Sequence, residues 1–172
     1  MMFGIGRLSA ASAVAGVALS SLLLAGCSSG VALLPPRAYG APHQRFSISF
    51  PERPTYSGPR AQVLDGGELA SSRHWCAVGV CVMVVSLKTP VQAPRQGSFL
   101  RSYLSFDSGG RLVSKFGLPA ATGIFGCSTP AGRCPGVAGD LVVLDGLTLY
   151  AVHTFAVSRA ETEAVFASFR IE

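Results

Sequence analysis

Alternating apolar and polar residues predict β-strands in the first half of the chain. In RFSISFP, Phe46, Ile48 and Phe50 alternate with serines, which predicts a strand with one buried face that ends at Pro51. The run CVMVVSLK, which begins at Cys81, is apolar at nearly every position. Because a strand that is apolar on both faces must be covered on both sides, this run predicts a central strand.

Two Asp-Gly pairs predict tight turns between extended runs. Asp65-Gly66 lies within AQVLDGGELASS, and Asp145-Gly146 lies within LVVLDGLTLYAVHTF. A two-residue hairpin loop of type I′ needs a positive φ at both central residues, and Asp-Gly tolerates this conformation. We therefore expect a hairpin at each pair, with the stronger signal at Asp145-Gly146.

Two segments change to helical spacing. After Ser98, a candidate N-cap, apolar residues of FLRSYLSF recur at intervals of three and four, and Gly109-Gly110 ends the pattern. Near the end of the sequence, Ser158 and Glu161 form a capping box that is followed by an apolar stripe. The order of strands, helix, strands and helix predicts an α+β domain, in which two helices flank an antiparallel sheet.

The first 26 residues are typical of a signal peptide. Arg7 precedes an uncharged apolar stretch that ends in small residues. A retained transmembrane helix is the alternative, because the stretch approaches the roughly 20 residues that span a bilayer. However, Leu24-Ala25-Gly26-Cys27 resembles the bacterial lipobox, in which the cysteine is acylated and becomes the first residue after cleavage. We therefore expect a lipoprotein that is held at a membrane by an acyl group on Cys27.

The chain after the signal peptide divides into a tether and one domain. Residues 27–44 are rich in proline and turn-forming residues and show no periodicity, which predicts a flexible tether. Residues 45–172 are expected to form a single α+β domain. Removal of 26 of the 172 residues leaves 146, which is long enough to form one hydrophobic core.

The cysteine count agrees with export. The chain has five cysteines, and four remain when Cys27 is set aside: Cys76, Cys81, Cys127 and Cys134. An even number outside the cytoplasm indicates disulfides. Four cysteines allow three connectivities, and the short spacing favours Cys76 with Cys81 and Cys127 with Cys134. A zinc site is the alternative, but the usual spacing of its cysteines is two to four residues, which the six residues between Cys127 and Cys134 exceed, and an exporting cell would oxidise the thiols.

The net charge restricts the partners only slightly. The chain has 14 basic and 9 acidic residues, so loss of Arg7 with the signal peptide leaves 13 − 9 = +4. This mild excess is ordinary surface charge, with weak attraction to an anionic membrane as the alternative. Anchoring outside the cytoplasm argues against a nucleic-acid partner.

The acidic residues and histidines give little support to catalysis. Every aspartate adjoins a turn-forming residue, including Asp140 after Gly139, so we assign the aspartates to turns. Glu68 alone lacks a ready structural reason. His153 alternates with apolar residues and is interpreted as a hydrogen-bonded core residue. The sequence lacks the motifs of serine hydrolases, zinc proteases and P-loop proteins. We expect no enzymatic activity, no metal and no cofactor.

The pair His74 and Trp75 is the predicted binding surface. Both precede Cys76, at the base of a hairpin that the expected disulfide would tie. An imidazole and an indole at such a position could be displayed for binding. The alternative is that the pair covers the edge of the sheet.

Several short motifs resemble the PsbP-like lipoproteins of actinobacterial envelopes. They are Ser49 to Pro51, the mid-chain helix, Leu-Tyr-x-Val at Leu149 to Val152, and Ser168-Phe169 in the terminal helix. The similarity covers about residues 45 to 172. That family has an antiparallel sheet packed between helices, and its members look like binding or assembly modules. The resemblance implies the same fold and role for this chain.

Three functions remain open at this point. The first is a membrane-anchored, non-catalytic binding or assembly module of the cell envelope, whose partner is an unknown envelope protein or ligand. The second is a lipid or glycolipid carrier, which would need a cavity of several hundred cubic ångströms. The third is an unrecognised hydrolase, which would need a pocket that joins a histidine to a nucleophile. The sequence favours the binding module.

Overall fold

The computed structural model describes residues 37–40, 44–63, 69–104, 110–126, 136–156 and 158–172. The predictions for the signal peptide, Cys27, the Asp65-Gly66 turn, Glu68 and the Cys127–Cys134 pair lie outside the described residues. Within the described residues, the chain forms ten strands and two helices. No helix among them is long and apolar enough to cross a membrane.

The elements follow one another in a series of hairpins that two helices interrupt. In chain order they are β1 (Arg37–Gly40), β2 (Phe46–Phe50), β3 (Thr55–Val63), β4 (Leu69–Ala77), β5 (Val80–Ser86), α1 (Ala93–Ser102), β6 (Arg111–Lys115), β7 (Leu118–Gly126), β8 (Val137–Asp145), β9 (Thr148–Ala156), α2 (Arg159–Ser168) and β10 (Arg170–Ile171).

Seven of the strands form a large antiparallel sheet in the order β3-β4-β5-β9-β8-β7-β6. β5 lies between β4 and β9, and its buried residues Val82, Val84 and Val85 point to both faces. The sequence prediction of a central strand at this position is therefore confirmed. The other three strands form a small sheet in the order β1-β2-β10.

The hairpin that joins β8 and β9 is present, but its turn is shifted by one residue. The strands end at Asp145 and begin again at Thr148, so the central residues are Gly146 and Leu147. Gly146 has a φ of 57°. Leu147 does not have a positive φ, because Phe116 is the only non-glycine among the described residues that has one. A positive φ at the first central residue alone is typical of a type II′ turn rather than the predicted type I′.

The small sheet and α2 cover one face of the large sheet and enclose an aromatic core. Phe46, Phe50 and Phe169 are fully buried there. α2 begins with the predicted capping box, since Ser158 Oγ accepts from the Glu161 backbone and the Glu161 carboxylate accepts from Ser158. We call this side of the sheet the aromatic face.

α1 packs on the opposite face of the sheet, against β6, β7 and β8. Its buried Leu100 joins an aliphatic cluster that includes Val142 and Ala151. The helix begins at Ala93, five residues before the predicted N-cap Ser98, because Pro94 occupies the first turn, where proline is favoured. Ser98 lies inside the helix instead.

The predicted α+β fold class is wrong, because the described structure is rich in β-strands and its two helices have only ten residues each. The sequence pattern missed β6, β7 and β10, and it placed β1 within the tether. The segment RAYG of β1 has almost no alternation to recognise. It is a strand because it pairs with β2, and Tyr39 packs its ring against Phe50 at 5.7 Å.

Candidate functional site

One register row of the large sheet carries side chains that a plain apolar core does not need. Across neighbouring strands, Cys76 pairs with Cys81, Cys81 with His153, His153 with Asp140, and Asp140 with Gly123. Directly paired residues of an antiparallel sheet point to the same side. His153 and Asp140 lie two residues from Ala151 and Val142 of the aliphatic cluster. Because residues i and i+2 of a strand point to the same face, the row lies on the same face as α1.

Asp140 and His153 form the closest ion pair of the row. Asp140 Oδ1 lies 2.7 Å from His153 Nδ1, and Asp140 is only 2% exposed. With an ionised carboxylate, which can only accept a hydrogen bond, the donor in this pair is His153 Nδ1–H. The side chain of His153 is 22% exposed, so one edge of the imidazole can be reached from solvent while the buried carboxylate sets its orientation.

The assignment of Asp140 to a turn is wrong, because Asp140 lies in the interior of β8. The preceding Gly139 suggested a turn, but this glycine has a packing role. A Cβ on Gly139 would lie 2.9 Å from Thr154 Oγ1 and would meet Thr162 of α2. The sequence does contain a signal for this pair. Asp140 lies five residues before Asp145 and His153 lies five residues after Thr148, so the predicted hairpin brings the two side chains opposite each other.

Phe125 closes the row on the side of β7. A Cβ on Gly123 would lie 2.8 Å from Cε2 of the Phe125 ring, which shows that this ring covers the glycine. Gly123 is paired directly with Asp140. Asp140 therefore lies in the row between His153 and the glycine that this ring covers, and its side chain is only 3% exposed.

His74 lies in the neighbouring row of the same face. It pairs with Met83, and its Nε2 lies 3.3 Å from Ser72 Oγ. Burial lowers the pKa of His74, and the charges of Arg60 and His153 lower it further. We call the surface formed by His74, Cys76, Cys81, Asp140 and His153 the histidine face.

Trp75 does not belong to this surface, and its expected display is corrected by the structure. Successive residues of a strand point to opposite faces, so His74 and Trp75 cannot form one contact patch. Trp75 is 4% exposed and lies in the aromatic core, with its ring 5.3 Å from Phe46 and 5.1 Å from Tyr56. Of the predicted pair, only His74 stays as a candidate.

The predicted disulfide between Cys76 and Cys81 is present and borders the Asp140–His153 pair. It joins two directly paired residues of β4 and β5, whose Cα atoms are 4.1 Å apart. Cys81 is also the direct partner of His153 on β9. The bridge indicates an extracytoplasmic location.

The described residues offer little for covalent or metal chemistry. The hydroxyl bonded to His74 belongs to Ser72, which is 3% exposed and donates to the Arg60 carbonyl at 3.4 Å. A buried hydroxyl in this position cannot approach a substrate. Among the described residues, no group of three or more His, Cys, Asp and Glu side chains is placed to hold a metal ion.

Comparisons with protein-family models and with curated proteins give no match for this chain. The resemblance to PsbP-like lipoproteins therefore stays a prediction that rests on its short motifs. The geometry of the histidine face is the firmest basis on which to discuss function.

Proposed function

We propose that this protein is an exported lipoprotein, anchored through an acyl group on Cys27, that acts as a non-catalytic binding module with the histidine face as its contact surface. The observation that carries the proposal is the Asp140–His153 pair. A buried carboxylate holds one edge of an imidazole in place and leaves another edge within reach of solvent.

Stability alone is a poor reason for such a pair. Replacement of a buried ion pair by well-packed apolar residues is often neutral or stabilising. Ala151 and Val142, two residues from His153 and Asp140 on the same strands, are completely buried without any polar group. A sheet of this kind can thus form without the pair, which supports a role in recognition.

The surroundings of the pair suit binding. A binding site usually combines an apolar lining with a few oriented polar groups. Here, His153 lies on β9 between the buried Ala151 on one side and Phe155, which is 50% exposed, on the other, and His74 lies in the register row of Ala151. The disulfide beside His153 restrains β4 and β5, which lowers the cost of ordering the surface when a partner binds.

The filled core favours a binding module over a lipid carrier. The space between the two sheets is occupied by large side chains, and Phe46, Phe50 and Phe169 are fully buried in it. A carrier would have to displace these rings to admit an acyl chain. Close-packed interiors resist such a change in volume.

A hydrolase is the second candidate, because a histidine oriented by a buried aspartate is also one half of a Ser-His-Asp triad. The described hydroxyl of Ser72 bonds to His74 and is buried, so it does not complete the set. Turnover of model esters or glycosides by the purified protein, lost in His153→Ala, would establish this candidate instead.

The proposal can be tested by capture from envelope membranes. Full-length wild type, His153→Gln and Leu147→Ser would be used as bait, with retention of fold checked by circular dichroism. Leu147 is a suitable control, because it is exposed in the hairpin turn at the far end of the sheet. We expect His153→Gln to lose the captured partner and Leu147→Ser to retain it. Equal capture by all three baits would contradict the histidine face as the contact surface.

The anchor has a separate test. Labelled palmitate should enter the wild type but not Cys27→Ala, and the variant should leave the membrane fraction. Residues 1 to 26 retained in the mature protein would contradict this part of the proposal.

A further inference from the structure

The start of β1, the first described strand, and the β4–β5 hairpin tip lie at the same end of the molecule. β1 begins at Arg37, which pairs with Phe50 at the end of β2. Two residues further on, Glu52 Oε1 lies 3.4 Å from the backbone nitrogen of Val78 in the hairpin turn. Arg37, the first described residue after Cys27, therefore lies beside this hairpin tip.

The connecting segment, even when fully extended, is only about as long as the sheet. Nine residues, 28–36, separate Cys27 from Arg37, and their full extension covers about 30 Å. The long strands, such as β4 and β9, also have nine residues and span about 30 Å. If the opposite end of the sheet faced the bilayer, the segment would have to run fully extended along the whole sheet. An acyl anchor at Cys27 would thus hold the end with the β4–β5 tip near the membrane.

Among the described residues, the exposed apolar side chains Val78 and Phe155 lie at this end. Val78 is 63% exposed and Phe155 is 50% exposed. They belong to one tip, because the Phe155 backbone N–H donates to the Gly79 carbonyl at 2.7 Å. Leu147 and Phe116, in turns at the other end, are also exposed, so exposure alone does not choose between the ends. The entry point of the chain makes that choice.

We infer that Val78 and Phe155 contact the lipid bilayer and orient the domain with the β4–β5 hairpin tip toward the membrane. This inference rests on the acyl anchor at Cys27 in the proposed function. The free energy falls when apolar and aromatic side chains on a rigid tip leave water for the interfacial region. The histidine face, which adjoins the tip through Cys76 and Cys81, then meets its partner close to the membrane surface.

Tryptophan fluorescence can test this orientation. The chain has a single tryptophan, Trp75, which is buried and supplies a constant background. Full-length acylated Val78→Trp and Leu147→Trp would be reconstituted into vesicles of phosphatidylcholine and phosphatidylglycerol, with or without brominated acyl chains. Both substitutions are in exposed hairpin turns, so neither should disturb the core. A Phe155→Trp variant supplies a second probe of the same tip.

The inference predicts a loss of emission from Val78→Trp and Phe155→Trp in brominated vesicles, with a blue shift, and no loss from Leu147→Trp. Quenching of Leu147→Trp, or of none of the three, in protein whose acylation is confirmed by mass spectrometry would overturn the orientation alone. Absence of an acyl group from Cys27 would overturn the anchor and the orientation together. The mass measurement thus separates the two failures.

Discussion

The two faces of the large sheet carry different kinds of side chain. The aromatic face is closed by the small sheet and α2, and the ring of Phe169 packs 6.2 Å from Phe46 and 5.9 Å from Tyr150. The opposite face is apolar beneath α1 but carries the Asp140–His153 pair further along the same strands. The difference teaches that the aromatic face maintains the fold, whereas the histidine face keeps polar groups that the fold does not require.

Because the aromatic face maintains the fold, we expect the largest loss of stability from Phe169→Ala. Because Phe169 is fully buried and contacts several other rings, truncation should lower the free energy of unfolding by about 3–5 kcal/mol. Urea denaturation followed by circular dichroism measures the change. Phe155→Ala on the other face is the matched control and should change stability by about 0.5 kcal/mol or less. Similar losses for the two variants would contradict the division between the faces.

Removal of the disulfide should have the next largest effect. The double change Cys76→Ser and Cys81→Ser opens a short loop and should cost about 2 kcal/mol. Denaturation of the variant beside the oxidised wild type provides the value. Since Cys81 pairs with His153, we also expect weaker partner capture by the folded variant. Unchanged capture would show that the bridge serves stability only.

Asp140→Asn should lower stability only slightly, but it should change which nitrogen of the His153 imidazole carries the proton. The amide is close in size to the carboxylate and can keep a neutral hydrogen bond, so we expect a loss of about 1 kcal/mol. An amide NH2 can also donate to Nδ1, which would move the imidazole proton to Nε2. Nitrogen-15 NMR of His153 reports the protonated nitrogen. A spectrum identical to wild type would mean that Asp140 does not control the imidazole.

The smallest expected effect is a pH dependence from His74. Its pKa is lowered in the folded protein, first by burial and then by Arg60 and His153, so the unfolded chain binds the proton more readily. Stability should therefore be unaffected above the unfolded value of about 6.5 and should fall as the pH drops from there toward the lower folded pKa. In His74→Gln, this part of the pH profile should flatten. A profile that keeps its slope would assign the dependence to other groups.

Local signals in the sequence were sufficient where the interaction itself is local. Ser158 and Glu161 cap α2 as expected, because both partners of the capping box lie within one turn. The Asp145-Gly146 pair located the hairpin to within one residue for the same reason.

Features that depend on distant partners could not be predicted in this way. Alternation shows that His74 and Trp75 point to opposite sides, but only the position of the small sheet makes the Trp75 side the interior. Gly139 suggested a turn, although it lies in β8 because α2 packs against it. The segment RAYG became a strand through its pairing with β2. For Trp75 and Gly139 the deciding contact comes from a distant part of the sequence, whereas β1 depends on the neighbouring strand β2, which its own residues do not indicate.

Photocrosslinking from Met83 tests the central claim most directly. The chain has three methionines, and two of them, Met1 and Met2, fall within the predicted signal peptide. Photo-methionine would therefore place a single probe on the mature protein, at Met83, which is paired with His74 on the histidine face. In intact membranes, we expect the wild type to form a discrete crosslinked product that His153→Gln loses. A product of equal yield in His153→Gln, or capture of the partner without any crosslink from Met83, would contradict binding at this face.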